Sequence, residues 1–91
     1  MRTVQEFLER VKEYGFLKYE QSHETIGNAE TCDHRVYLFL HNNIRSIVVF
    51  EECGEDTPQS VIIICQTYEE RKLIRSIAEG TDPDDEDETD D

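Results

Sequence analysis

Apolar residues recur along this chain with two different periods. Val4, Phe7, Leu8, Val11 and Tyr14 follow helical spacing along one face. Just before them, Thr3 and Glu6 suit a capping box, in which each side chain satisfies the other residue's backbone amide. The pattern predicts a helix over about 4–14, stopped by Gly15. A second stripe, Tyr68, Leu73, Ile74, Ile77 and Ala78, follows a second box at Thr67 and Glu70. Gly80 closes that helix and Pro83 discourages continuation. Glu69 and Glu70 sit at the positive end of its dipole, with Lys72 and Arg75 further along.

Between the helices the period shortens to that of a strand. Residues 16 to about 25 alternate loosely, with Leu17 and Tyr19 on one face and Lys18 and Glu20 on the other, as in a polar edge strand. Residues 26–33, with Gly27 and Asn28, have no period and read as a loop. Strands are expected at 34–40, 44–51 and 60–66. Asn42 and Asn43 tolerate the positive φ of a tight hairpin, and 52–59 form an acidic loop with Gly54 and Pro58. The fold class is α+β in the order α-β-β-β-β-α: a four-stranded, mainly antiparallel sheet with two flanking helices.

Three of those strands are apolar on both faces. Val36, Leu38 and Leu40 oppose Tyr37 and Phe39; Ile47 and Val49 oppose Val48 and Phe50; Val61 and Ile63 oppose Ile62 and Ile64. A sheet with one wet face would alternate apolar with polar, so both faces need cover. One helix on each face of a monomer would supply it. A homodimer through the sheet fits better, with Tyr37, Phe39, Val48 and Phe50 as its expected interface.

Charge changes the picture next. The 91 residues carry 22 acids and 9 bases, a net of -13. Residues 81–91 hold eight acids and no base, which leaves a net of -5 on 1–80. The expected organisation is one folded domain, 1–80, and a disordered acidic tail, 81–91, because runs of like charge repel themselves. Such a balance disfavours direct contact with nucleic acid or an anionic membrane and favours basic partners. The start shows no apolar signal core, and no apolar run approaches the ~20 residues of a membrane span. A cytoplasmic protein is expected, with Cys32, Cys53 and Cys65 as reduced thiols.

Candidate chemistry is sparse. Cys32 and His34 in a loop lack any specific nucleophile pattern, and no phosphate-binding glycine motif or G-x-S-x-G elbow occurs. Cys32, Cys53, Cys65, His23, His34 and His41 would be enough ligands for zinc, but their spacing lacks the paired C-x2-C or H-x3-H form. They read instead as a buried Cys65, loop thiols and polar-face histidines. The expectation is a protein that is not an enzyme and holds no metal or cofactor.

The acids are then the active feature. Glu20 and Glu24 share a strand face, and Glu51, Glu52, Glu55 and Asp56 have no base nearby in sequence. The tail adds Asp82, Asp84, Asp85, Glu86, Asp87 and Glu88. Carboxylates in rows on a rigid surface imitate the phosphates of DNA, which supply one charge per ~1.7 Å of duplex axis. By size, acidity, layout and expected dimerisation the chain resembles the small acidic DNA-mimic early proteins of lytic phages, a group that includes inhibitors of the nucleoid protein HU. That resemblance implies a basic, HU-like DNA-binding partner in a host bacterial cytoplasm, kept from its DNA. The alternative is a small adaptor or inhibitor that binds another host enzyme, such as RNA polymerase or a nuclease, through its sheet surface.

Overall fold

The structure, a computed structural model, describes residues 1–26 and 31–82. Its elements are α1 (Val4–Glu13), β1 (Leu17–Ile26), β2 (Cys32–His41), β3 (Ile44–Glu52), β4 (Ser60–Cys65) and α2 (Tyr68–Glu79). The strands form one antiparallel meander in the order β1-β2-β3-β4. The α+β class and element order agree with the sequence pattern. The loop expected over 26–33 is shorter among the described residues, since Ile26 pairs with Cys32 and Thr25 with Asp33.

Local signals set the boundaries. Thr3 accepts from the Glu6 amide at 3.1 Å while Glu6 accepts from the Thr3 amide at 3.0 Å, a complete capping box. Asn42 and Asn43 take φ of 52° and 66°, the conformation a two-residue hairpin requires. Gly80, at φ 85°, ends α2 in the left-handed region, where a Cβ would be strained. The second capping box is only half formed. Thr67 accepts from the Glu70 amide, but the Glu70 carboxylate turns away to His41.

Both helices lie on the same face of the sheet. Val4, Phe7 and Val11 from α1 and Ile74, Ile77 and Ala78 from α2 share one core with Tyr37, Phe39, Val48, Phe50 and Val61. Phe7 meets the rings of Phe39 and Phe50 edge-on, with centroids 6.0 and 4.9 Å apart. Tyr37, Phe39, Val48 and Phe50 are therefore not a dimer interface. They are 6% exposed or less beneath the chain's own helices. The helices cover one face of the two-faced strands, and the face left bare is the opposite of the one expected to meet a second copy. Tyr68 also leaves the expected α2 stripe and is exposed.

Two further expectations are corrected. Cys32 and Cys53 form a disulfide rather than a pair of thiols, while Cys65 is free and buried. Asp33 at the start of β2 pairs with Glu52 at the end of β3, so the next residues outward, Cys32 and Cys53, come opposite each other. The folded body also runs past residue 80. The Thr81 amide donates to the Ser76 carbonyl at 2.9 Å, and Asp82 is fully buried.

The disulfide closes a separation of 21 residues, a loop whose cross-link contributes roughly 3 kcal/mol by chain entropy. Reduction, or Cys32→Ser with Cys53→Ser, should lower unfolding stability by about that amount. Urea denaturation with and without dithiothreitol measures it.

Candidate functional surface

The carboxylates expected to bind a partner divide into three groups in the fold. Glu20 and Glu24 lie on β1, opposite Leu38 and His34 of β2, and both are exposed. A bulge between Lys18 and Glu20 resets the strand, so Leu17 and Glu20 share a face instead of opposing one another. Glu55 and Asp56 are exposed in the turn after β3. Among the described residues these four carboxylates form no ion pair with a base.

The second group is engaged within the chain. Glu51 sits on the same outer face as Glu24, half-buried, with its carboxylate 3.1 Å from His34 Nε2. Glu52 lies on the helix side and accepts from Arg35 Nε at 2.6 Å. That pairing raises the Arg35 pKa further and removes Glu52 from the set of free acids. Asp82 was expected in a solvated tail. Instead it is a structural anchor: Arg2 Nη1 donates to Oδ1 at 2.7 Å, Arg10 Nε to Oδ2 at 2.8 Å and the Tyr14 hydroxyl to Oδ2 at 3.1 Å. The third group, Asp84, Asp85, Glu86, Asp87 and Glu88, lies outside the described residues.

Burial pushes the Asp82 carboxyl up, but the hydrogen bonds from Arg2, Arg10 and Tyr14 outweigh it and hold the group well below the usual carboxylate range. The cluster ties three parts of the chain together. Arg2 also donates to the Ile77 carbonyl at 2.7 Å, and its own amide donates to the Ala78 carbonyl at 2.9 Å. The N-terminus, α1 and the end of α2 thus meet at one carboxylate. The sequence shows arginines at positions 2 and 10, but no local rule links them to residue 82.

A second ionic tie was also missed. His41 Nδ1 bonds the Glu70 carboxylate, and Nε2 lies 3.1 Å from the Tyr14 carbonyl oxygen. The ring stacks on Phe16 with centroids 3.9 Å apart. Both ring nitrogens face acceptors, so the histidine is committed to holding α2 to the α1–β1 turn. No nucleophile stands beside it, and this pair reads as structural. Cys32, Glu51 and Cys53 lie close enough to suggest a metal cluster, but the disulfide occupies both sulfurs.

The outer face of the sheet is the other prominent surface. Strand register groups its side chains in rows: Leu40 with Arg45; Leu38 with Ile47 and Ile64; Val36 with Val49 and Ile62; His34 with Glu51 and Ser60. Ile62 and Ile64 are each 55% exposed and Ile47 36%, and no described element covers them. Glu20, Ser22 and Glu24 on β1 form the polar margin. On the helix side, Arg71, Lys72 and Arg75 gather along a groove of about 280 Å³ beside Ile63 and Tyr68. No described helix is long and apolar enough to cross a membrane.

No protein-family model, curated protein or solved structure matches this chain.

The Asp82 and His41 ties each generate a prediction. A carboxylate with a depressed folded pKa stabilises the fold above its unfolded value of ~3.9, and that stabilisation is lost as pH falls through the folded value. Asp82→Asn should cost about 3 kcal/mol at pH 7, because it removes a fully buried carboxylate's charge from between two half-buried guanidinium groups. The difference from the parent protein should shrink below ~pH 3.9, as read from urea midpoints at pH 7 and pH 3. His41→Ala leaves a buried Glu70 without its partner and should cost about 3 kcal/mol. His41→Ala with Glu70→Ala should cost clearly less than the sum of the single changes, a coupling that a double-mutant cycle measures.

Proposed function

We propose that this chain is a non-catalytic binding protein whose acidic surface engages a basic DNA-binding protein and keeps it from DNA. The observation that carries the reading is the acidic margin of the sheet. Glu20 and Glu24 are exposed on the outer side of the edge strand β1, four residues apart on one face. That spacing is about 13 Å along a strand. Glu51, two strands over, and Glu55 and Asp56 beyond it extend the negative surface at the same end of the sheet.

Glu20, Glu24 and Glu51 stand on strands whose positions are fixed by ladder hydrogen bonds, so they offer a rigid row rather than a diffuse cloud. A basic groove that binds phosphates would meet comparable charges without further ordering. Glu52 and Asp82 contribute nothing to such a surface, since each is committed to the chain's own arginines. The target on this reading is an HU-like protein in a bacterial cytoplasm, and in that compartment the Cys32–Cys53 bond faces thiol reductants.

A specific observation favours a second reading. The outer face is apolar where a DNA mimic has no need of apolar surface, and an adaptor for a host enzyme such as RNA polymerase or a nuclease would dock there. The two readings differ in salt dependence and in the residues they need.

Adding the protein to an HU–DNA complex tests the first. Displacement of DNA is expected, with an affinity that falls as salt rises. Glu20→Lys with Glu24→Lys should weaken displacement by at least about tenfold, each lost charge contact at the interface costing roughly 1 kcal/mol or more. An HU–DNA complex that survives a large excess of the protein at low salt rules out HU as the target. Salt-insensitive capture of a host enzyme, lost on Ile62→Glu, would favour the adaptor instead.

A further inference from the structure

We infer that the outer sheet face is the interface of a two-fold homodimer, packed sheet on sheet with β3 crossing β3 of a second copy. The inference stands on the register of the sheet and does not rest on the proposed function.

The apolar rows supply the first reason. Val36, Leu38, Leu40, Ile47, Val49, Ile62 and Ile64 occupy one continuous patch on three adjacent strands. Contiguous apolar surface of this kind on a soluble chain marks an interface. Four strands at ~4.8 Å and six residues at ~3.4 Å give a projected footprint of roughly 400 Å² per copy. A pair would cover roughly 800 Å² in projection, close to the ~1,000 Å² at which specific interfaces begin.

The charges on that face decide the occupant. Arg45 is its one arginine or lysine among the described residues, at one end of β3, and Glu51, beside His34 of its own chain, stands at the other end of the same strand face. Tyr37, Val48 and Ile63 form one lateral row between these ends. A two-fold axis lying along that row, between stacked sheets ~10 Å apart, turns each strand end for end over its own copy. Ile47 then faces Val49, Leu38 faces Val36 and Ile62 faces Ile64 of the second copy. Arg45 faces Glu51 of the second copy, twice. Glu20 meets the row of Ser22 and Glu24 the row of Leu17, so no acid is placed over an acid.

The alternative two-fold, parallel to the strands, overlays the apolar rows as well. It sets Arg45 over Leu40 and Glu20 over Ile64, so Arg45 gains no acid opposite it, whereas the first orientation pairs Arg45 with Glu51 and leaves Glu24 over Leu17 and His34 over Leu40. The face is self-complementary in the first orientation, as an isologous interface must be. A foreign partner would have to supply both charges in the same arrangement.

The geometry has a consequence for the acidic margin. The two β1 strands fall on the same side of the dimer, one above the other. Their carboxylates alternate along that edge: Glu24, Glu20 of the second copy, Glu20, then Glu24 of the second copy. The dimer therefore concentrates four acids on one edge, where the monomer has two.

Sedimentation equilibrium of the full chain across about 1 µM to 1 mM tests the proposal, with circular dichroism to confirm that each variant is folded. The expected result is a mass twice the 10.7 kDa of one chain at the upper concentrations. Val49→Glu should leave a folded monomer throughout the range. Arg45→Glu alone, or Glu51→Arg alone, should weaken association about tenfold by bringing like charges together, and the two changes combined should restore it to within about threefold of the parent. A parent chain that stays monomeric at 1 mM overturns the dimer and leaves the face to a foreign partner. Dimerisation that survives Val49→Glu, or a double reversal that fails to restore association, overturns this face or this register.

Discussion

Two helices of 10 and 12 residues, about 15 and 18 Å long, cover a sheet roughly 19 Å wide, and both lie on the same side of it. That constraint shapes everything else in the molecule. Tyr37, Phe39 and Phe50 of β2 and β3 go beneath the helices with Val48 and Val61, where Phe7 fills the space between Phe39 and Phe50. Val36, Leu38, Ile47, Val49, Ile62 and Ile64 are left on the other side. The chain has one core and one apolar face without cover among its described residues, and the second is a direct result of how the first was completed.

Holding two short helices on one face demands ties at their ends, because neither is long enough to be secured by packing alone. The ties here are polar side chains that bridge distant segments. Asp82 gathers Arg2, Arg10 and Tyr14 at the junction of the N-terminus, α1 and the end of α2. His41 joins the N-terminal turn of α2 to the α1–β1 turn through Glu70 and the Tyr14 carbonyl. Each buries a carboxylate that would be costly alone and is stable only because its partners arrive with it. The disulfide Cys32–Cys53 fixes the open end of the β2–β3 hairpin, opposite its Asn42–Asn43 turn. Acidity in this chain is therefore of two kinds: carboxylates used as internal fasteners and carboxylates left outward on β1 and the turn after β3.

Much of the fold was legible in the sequence because its signals are local. The Thr3–Glu6 box, the Asn42–Asn43 turn and Gly80 each state a backbone conformation within a few residues, and each forms as stated. The two-faced strands also showed that both sides of the sheet are apolar. Which side the helices take is not written in any strand, since an alternating apolar pattern reads the same from both faces. Tyr37, Phe39, Val48 and Phe50 were assigned outward for that reason and prove to be the core. The bulge at Tyr19 shows the same limit on a smaller scale, because one extra residue moves Glu20 to the face of Leu17.

The candidate surface divides along the same line. Glu20 and Glu24 share a face because their spacing is even, and the sequence fixes that parity without help. Glu52 and Asp82 have the same composition and the same acidic neighbours as the outward acids, yet arginines from 17 and 72–80 residues away claim them. The thiols of Cys32 and Cys53 likewise meet only because β2 and β3 pair. Periodicity, caps and turns determined the elements and their order by themselves. Which carboxylates are free, which cysteines meet and which face stays bare were decided only by tertiary structure, because each depends on contacts between residues that sequence distance keeps apart.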